Sequence, residues 1–213
     1  MKAGQRPAEC FAPRGIFGSP EDDPKFEGIK FDPEKARALL AEAGYPGGKG
    51  LPEITYMLNT NEGNQRIAEF AQAGWREHLG ADVRLANQEW KVYVKTVNTD
   101  SPQIWRMSWG ADYPDENNWV LENFDTKLSL NNPRWSGPDA DEFDRLVEEA
   151  AASADPAKRK ELYLKAEKVL CADSAVIMPL YFSTNMICTK PYVERTFASL
   201  TGEQIYYWKV KAH

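Results

Sequence analysis

Residues 103–119 read QIWRMSWGADYPDENNW, and the fold follows from the change of pattern within this stretch. The first half alternates between two faces, Trp105, Met107 and Trp109 on one and Ile104, Arg106 and Ser108 on the other. This alternation predicts a strand from Gln103 to Trp109. Turn-forming residues follow at once, namely Gly110, Asp112, Tyr113, Pro114 and Asp115. We therefore expect a carboxylate and aromatic rings at the carboxyl end of a strand, where open α/β sheets bind ligands.

Strands and helices alternate upstream of this stretch. The hydrophobic periods and the Asp-Pro helix start predict, in order, a helix from Asp32-Pro33 to Gly44, a strand Ile54–Leu58, a helix Asn64–Leu79, a strand Val83–Ala86 and a helix Trp90–Val97. Such a β-α-β-α-β order favours a parallel sheet with right-handed crossovers. The predicted fold class is α/β, with a mixed, mostly parallel sheet flanked by helices.

Downstream, the pattern changes to helices and then to short strands. It predicts a helical turn at Glu116–Phe124, a polar loop at Lys127–Gly137, helices at Asp139–Ala152 and Asp155–Cys171, β-rich segments at Val176–Phe182 and Met186–Thr189 that could pair, and a strand in the closing run IYYWKV. The N-terminal segment, residues 1–30, is rich in Pro and Gly. We expect it to be irregular and extended, and to pack along a surface outside this chain.

Composition excludes several classes of function. A hydrophobic content of 42% over 213 residues supports a real core, and a net charge of −6 argues against nucleic acid as a partner. The sequence contains no apolar run of membrane-spanning length. The first residues carry positive charge without an apolar h-region, so an export signal, if there is one, is expected outside this chain.

Cysteine and histidine give little support for a metal or redox site. Cys10, Cys171 and Cys188 lack C-x-x-C spacing and nearby histidines, so we predict no metal ligands. Cys171 and Cys188 could form a disulfide, or they could be buried free thiols. His78 shares a helical face with apolar residues, which favours a packed boundary histidine over a catalytic base.

The central stretch has the chemistry to bind a ligand with a positive end. Asp112, among Trp109 and Tyr113, would be an anion in a partly apolar wall, where a cation gains a charged hydrogen bond, about 1.5–3 kcal/mol, and a ring contact, about 0.5–2 kcal/mol. Arg106 could bind an anion at the other end of the ligand. A zwitterion fits both. The alternative is that Asp112 and Asp115 only cap the next helix, that Arg106 pairs with a local carboxylate and that the tryptophans are core residues.

A hydrolase domain is the weaker interpretation. Asp112, Asp115 and Glu116 could be imagined as a glycosidase acid/base pair, but nothing in the sequence sets their separation. The sequence has no G-x-S-x-G, P-loop or H-E-x-x-H motif. We therefore predict no catalytic residues and no cofactor.

Four segments in this order resemble one protein family: FDPEKARALLAEAGYPGGKGLPEITYML (31–58), WGADYPDENNW (109–119), DEFDRLVEEAAASADPAKRKELYLKAEKVL (141–170) and IMPLYFSTNMICTKPYV (177–193). Together they are similar to the C-terminal portion of family 5 solute-binding proteins, the extracytoplasmic receptors of oligopeptide and dipeptide ABC importers. The resemblance implies one lobe of a periplasmic-binding-protein-like clamshell of class II, which closes on its ligand at the lobe interface.

The resemblance also implies roles for individual residues. In peptide-binding members, the aspartate that matches Asp112 binds the α-amino group of the ligand. The arginine that matches Arg106 can bind the peptide carboxylate in some members, and the tryptophan that matches Trp109 lines a side-chain pocket. With Tyr113 beside them, these are the candidate ligand-binding residues.

Family members are much longer than this chain. The resemblance therefore implies an N-terminal segment at 1–30, a C-terminal lobe at 31–190, and a tail at 191–213 that returns toward a missing N-terminal lobe. Expected partners are a peptide or another small solute such as an oligosaccharide, and a membrane ABC permease reached through the full-length receptor. The expected location is extracytoplasmic, with any lipid anchor in a segment outside this chain. A separated lobe should also expose apolar surface.

Overall fold

The computed structural model describes residues 4–184, 187–195 and 208–212, and the chain divides into two compact units. The sheet unit is Lys30–Ser108. The helical unit combines Met1–Ile29 with Trp109–His213. The predicted segments 1–30, 31–190 and 191–213 stay a prediction.

The helices and strands follow the predicted order closely. The α-helices are Pro33–Glu42 (α1), Glu62–Leu79 (α2), Trp90–Asp100 (α3), Leu121–Phe124 (α4), Pro138–Ala152 (α5) and Pro156–Lys168 (α6). The strands are Arg6–Pro7 (β1), Ile54–Asn59 (β2), Val83–Gln88 (β3), Ile104–Trp105 (β4), Tyr181–Phe182 (β5), Val193–Glu194 (β6) and Lys209–Val210 (β7). Short 3₁₀ turns lie at Pro20–Asp22, Pro46–Gly48 and Glu116–Asn118, and α6 continues into a π-helical turn at Val169–Asp173.

A parallel three-stranded sheet in the order β3-β2-β4 forms the centre of the sheet unit. Side chains of β2 alternate between two small cores: Tyr56 and Leu58 pack on the side of α2, and Met57 packs with Tyr93 and Val97 of α3. A parallel strand covered on both faces needs a continuous apolar run, which explains the sequence of β2. The predicted fold class, α/β with a parallel sheet flanked by helices, is confirmed.

Helix ends in this unit follow the expected capping chemistry. The carboxylate of Asp32 accepts the Lys35 N–H at 2.9 Å, which starts α1 where the Asp-Pro signal predicts it. Helix α2 ends at Gly80, which has the left-handed φ of 66° that glycine adopts without strain. His78 is half-buried, and its ring contacts Phe31 edge-to-face at 5.4 Å, so the prediction of a packed boundary histidine is confirmed.

The strand predicted from Gln103 to Trp109 is shorter than expected. It ends at Trp105, because the Arg106 carbonyl accepts the Tyr93 hydroxyl instead of a neighbouring strand. The Arg106 N–H still donates to the Met57 carbonyl at 3.1 Å. The alternation that continues to Trp109 therefore does not mark a strand, and residue 109 already belongs to the helical unit.

Helices α5 and α6 pack against each other and form the core of the helical unit with the segment around Trp119 and Phe124. The N-terminal segment completes this core. Ala12 and Ile16 are buried in it, and Phe11 packs against it. The segment is irregular as predicted, but the expectation that it packs on a surface outside the chain is wrong, since its apolar side chains are buried within this unit.

The strands near the C-terminus differ from their prediction. Only Tyr181–Phe182 of the segment 176–182 is a strand, and it pairs antiparallel with Arg6–Pro7. The Arg6 guanidinium lies 5.1 Å from the centre of the Phe182 ring, which adds a cation–π contact to this pairing. Residues 187–189 form no strand, and Met186 lies outside the described residues. Lys209–Val210 in the predicted closing strand pairs with Val193–Glu194, whereas residues 205–207 are not described.

The three cysteines are free thiols, so the alternative disulfide between Cys171 and Cys188 is absent. Cys10 and Cys171 are buried, and burial raises the pKa of both thiols, whereas Cys188 is exposed. Among the described residues, no helix combines the length and the apolar character that crossing a membrane requires.

Candidate ligand-binding site

The turn after Trp109 is fixed by backbone bonds to the N-terminal segment. The Phe17 N–H donates to the Pro114 carbonyl at 3.0 Å, and the Glu116 N–H donates to the Phe17 carbonyl at 2.8 Å. The Asp115 carboxylate accepts the Asn117 N–H at 3.0 Å and caps the 3₁₀ turn that follows. The loop 109–113 is therefore followed by a segment that backbone and side-chain hydrogen bonds hold in place, and its Ala111 packs against the helical core.

Asn118 joins the candidate residues Trp109 and Asp112. Its side chain is fully buried, and its Oδ1 accepts the Trp109 indole N–H at 3.1 Å and the Asp112 backbone N–H at 3.0 Å. Its Nδ2 donates to Glu122 Oε2 at 2.7 Å, which fixes the orientation of the amide. Sequence reasoning did not identify Asn118, since a single asparagine within a turn carries no pattern.

Tyr113 belongs to the same network. Its hydroxyl donates to Glu122 Oε1 and accepts a hydrogen bond from Asn117 Nδ2 at 2.9 Å. Burial, followed by the hydrogen bond to the Glu122 carboxylate, raises the pKa of Tyr113, so the phenol stays protonated at neutral pH. The structure therefore brings three predicted residues, Trp109, Asp112 and Tyr113, onto one hydrogen-bonded loop.

The acidic residues of this segment differ in what they can offer a ligand. Asp115 binds Arg159, whose Nη2 lies 2.8 and 2.9 Å from the two carboxylate oxygens. Glu116 is fully buried, and burial, followed by the Glu167 charge, raises its pKa well above the usual range. Glu122 accepts the hydrogen bonds described above.

Asp112 is the remaining acidic residue. Its side chain is exposed, and its carboxylate makes no hydrogen bond or ion pair with residues 4–184, 187–195 or 208–212. Trp109 is 38% exposed and lies on the same loop. The alternative that Asp112 and Asp115 serve as caps is confirmed for Asp115, which caps the 3₁₀ turn, but not for Asp112. The loop therefore presents one anion beside an indole ring.

Arg106 lies in the sheet unit, just after β4, and the structure does not place it on the Asp112 loop. Its Nη1 donates to Asn59 Oδ1 at 3.4 Å, at the carboxyl end of β2. Within the described part of the chain it forms no ion pair with a carboxylate, so the alternative of a local salt bridge is not observed. Arg106 thus offers a cation at the carboxyl end of the parallel sheet, an edge where α/β folds bind ligands.

One acidic cluster has the donor types of a metal site. Asp125, Asp144 and Glu148 each place an oxygen within 4.8 Å of the others. The Lys127 ammonium lies 3.3 Å from Asp144 and 3.5 Å from Glu148 and supplies a positive charge there. The cluster is therefore an ion-pair network within the helical unit, and we assign no metal to it.

Comparison with known proteins gives a consistent result. The family model described as "Bacterial extracellular solute-binding proteins, family 5 Middle" matches residues 1–129. The chain is 33% identical over 192 residues to the periplasmic oligopeptide-binding protein OppA of Escherichia coli, covering 89% of this chain and 34% of that protein. It is 35% identical over 197 residues to the periplasmic murein peptide-binding protein MppA of E. coli, covering 91% of this chain and 35% of the relative.

A solved structure shows the same fold. Haemophilus influenzae OppA, in complex with the peptide RPPGFSPFR, superposes with a TM-score of 0.77 at 27% identity, covering all of this chain and 42% of that chain. The chain thus spans about a third of the length of the curated relatives it matches.

Proposed function

Because the chain belongs to the bacterial extracellular solute-binding proteins of family 5, we propose that it is the C-terminal lobe of a receptor that captures peptides for an ABC importer. The relatives named for oligopeptide and murein peptide binding support a peptide as the ligand. We infer a binding protein without catalysis, and its expected location is extracytoplasmic.

The observation that carries this proposal is the state of Asp112. Residues 110–122 contain four acidic residues, and three of them are paired, buried or hydrogen-bonded, whereas Asp112 is exposed on a fixed loop. A fixed, exposed carboxylate suits an ammonium group, since a charged hydrogen bond contributes about 1.5–3 kcal/mol. We therefore assign the peptide α-amine to Asp112.

Trp109 and Tyr113 supply the apolar surroundings of this amine. The Trp109 ring is held by its indole N–H, so its face is fixed without loss of rotamer freedom on binding. An aromatic face near an ammonium group adds about 0.5–2 kcal/mol. We propose that these rings contact the amine and the first side chain of the peptide.

Arg106 is proposed to bind an anionic group of the ligand, such as the peptide carboxylate. This role is supported by its guanidinium, which hydrogen-bonds the neutral amide of Asn59 rather than a carboxylate, and by its place after a parallel strand. The proposal for Arg106 is separate from that for Asp112, because the two residues belong to different units.

The substitution Asp112→Asn tests the proposed amine site. In the full-length receptor we expect it to lower the affinity for peptides with a free amino terminus by about 10- to 100-fold, because a charged hydrogen bond is lost. N-acetylated peptides should be little affected. Affinities are measured by calorimetry, and Asp141→Asn, at an exposed aspartate of α5, is the matched control. Equal affinity of Asp112→Asn and parent for free-amine peptides would remove Asp112 from this role.

The partners proposed for the whole receptor are an N-terminal lobe and a membrane permease. Individual apolar side chains are largely exposed, with Phe31 at 81%, Phe70 at 83% and Leu130 at 79%, and we propose that such positions face the N-terminal lobe. The tail at 191–213 is proposed to return toward that lobe.

A second candidate ligand is an oligosaccharide, which the exposed indole of Trp109 could stack against. Thermal shifts with peptide and oligosaccharide panels separate the two ligand classes, because only a bound ligand raises the melting temperature. Stabilisation by oligosaccharides alone would replace the peptide proposal.

A further inference from the structure

We propose that Asn118 is the positioning residue of the amine site, the side chain that holds the Asp112 backbone and the Trp109 ring in one fixed arrangement. This inference rests on the function proposed above and adds a residue that does not itself contact the ligand.

The hydrogen bonds of Asn118 support this role directly. One oxygen accepts from the Trp109 indole at 3.1 Å and from the Asp112 backbone at 3.0 Å, so a single atom sets the position of both groups. The amide nitrogen is bound to Glu122 at 2.7 Å, and the side chain is fully buried. A buried amide with both ends engaged has one orientation, and it transmits that orientation to its two partners.

The base under Asn118 is itself fixed. Asn118 ends the 3₁₀ turn Glu116–Asn118, and the cap of that turn, Asp115, is bound by Arg159. The Arg159 guanidinium lies 4.8 Å from the centre of the Phe17 ring and 5.5 Å from that of Tyr163. The Arg159–Asp115 ion pair therefore holds the 3₁₀ turn, and Asn118 at the end of this turn holds the loop.

In the loop between Trp109 and Asp112, Ala111 packs against the helical core, and no such contact is made by Gly110. Gly110 is exposed, and a Cβ built on it would have no atom within 4 Å. Removing the Asn118 side chain would leave the Asp112 N–H and the Trp109 indole without this acceptor. We expect the carboxylate and the ring to lose their fixed arrangement while the core around Phe143 and Leu146 is kept.

A double-mutant cycle separates positioning from a general loss of structure. The variants are Asn118→Ala, Asp112→Asn and the double variant in the full-length receptor, and the readout is calorimetric affinity for a free-amine peptide and for its N-acetyl form. We expect Asn118→Ala to lower the affinity for the free-amine peptide about tenfold when Asp112 is present. In the Asp112→Asn background the same substitution should lower it less than about twofold. The N-acetyl peptide should show no such loss.

The control variant is Asn123→Ala. Asn123 is a half-buried asparagine of the same segment whose Nδ2 donates to the carbonyls of Asn118 and Trp119 at 2.9 and 3.1 Å. The variant Asn123→Ala should be less stable than the parent, but it should not lose affinity selectively for free-amine peptides. Asn118→Ser, which keeps one acceptor oxygen, runs in parallel and supplies the cycle where the alanine variant fails to fold.

The outcomes differ for the two proposals. Losses from Asn118→Ala and Asp112→Asn that multiply would overturn the positioning role and leave the amine site intact. No loss from Asp112→Asn itself would overturn both. An independent readout is the Trp109 indole N–H by NMR, which should exchange faster with solvent in Asn118→Ala than in the parent; an unchanged rate would also contradict the role.

Discussion

Glu116 and Glu167 place two carboxyl groups in the interior of the helical unit. Glu167 accepts the N–H groups of Phe11 at 2.9 Å and Ala12 at 2.8 Å, and the Cys171 thiol donates to it at 3.3 Å. Burial raises the pKa of Glu167 although these donors oppose the shift. Burial and the neighbouring Glu167 charge raise the pKa of Glu116 further, so Glu116 is the member that stays protonated.

This pair predicts a pH dependence of stability. Because the folded-state pKa of Glu116 is raised, the folded chain keeps a proton at pH values where the unfolded chain has released it. The free energy of unfolding therefore falls as pH rises from about 5 toward the raised pKa. Glu116→Gln has no carboxyl group to titrate at this position. The melting temperature of the variant minus that of the parent should therefore increase as the pH rises from 5 to 8.

Thermal unfolding across this pH range checks the prediction. A gain on the order of 1–3 kcal/mol corresponds to about 2–4 °C per kcal/mol in a chain of this length. Glu161→Gln, at an exposed glutamate of α6, is the control and should follow the parent. A constant difference between Glu116→Gln and the parent at all pH values would contradict the assignment.

At the scale of single residues, the sequence identifies groups that a ligand could bind but not the groups that hold them. Asp112, Trp109 and Tyr113 could be found because a carboxylate among aromatic rings follows a strand pattern. Asn118 and Glu167 could not, since a buried polar side chain is recognised by its partners, and Glu167 lies far along the chain from Phe11. The role of Asp112 itself stays a prediction until binding is measured.

The N-terminal segment is the element whose position the sequence did not reveal. It approaches α6 closely at Gly18, which has a φ of +93°, and a Cβ there would lie 2.7 Å from the Tyr163 ring and 2.9 Å from Glu116. Gly15 has a similar φ of +87°, but a Cβ there would meet no atom within 4 Å. A side chain at either position would strain the backbone, but only a side chain at Gly18 would also clash with its neighbours.

We expect Gly18→Ala to destabilise the chain more than Gly15→Ala. Both pay the left-handed backbone cost, about 1–2 kcal/mol, and Gly18→Ala adds overpacking of about 1–3 kcal/mol. Urea unfolding of the two variants measures the difference. Equal losses would mean that the N-terminal segment does not pack tightly on α6.

At the scale of elements, periodicity predicted the parallel sheet and its helices because each buries a regular face. The same reasoning failed where tertiary hydrogen bonds decide the outcome. The alternating residues after Trp105 are not a strand because Tyr93 takes the Arg106 carbonyl. Likewise, Tyr181–Phe182 pairs with Arg6–Pro7, a partner so distant in sequence that no local pattern could indicate it.

For the whole molecule, the comparison of lengths leads to a prediction about the native protein. The chain spans about a third of its curated relatives, and the receptor proposed above needs a second lobe. An antibody against this chain should detect, in the source cells, a protein far larger than 24.1 kDa in the membrane or extracytoplasmic fraction. A band at 24.1 kDa would instead call for a ligand screen on this chain alone.

The helical unit combines two separate parts of the chain, residues 1–29 and 109–213, and this fixes the order in which its contacts can form during synthesis. The N-terminal segment gains its partners in two stages: Phe17 can bond to Pro114 and Glu116 early, whereas Phe11 and Ala12 need Glu167, and β1 needs β5, which ends at residue 182. The sheet unit is continuous in sequence and can close first. At roughly 5–20 residues per second, the second stage comes on the order of 10–30 s after the segment itself is made. A nascent chain therefore leaves β1 unpaired, and the Phe11 and Ala12 N–H groups without the Glu167 carboxylate, throughout that interval.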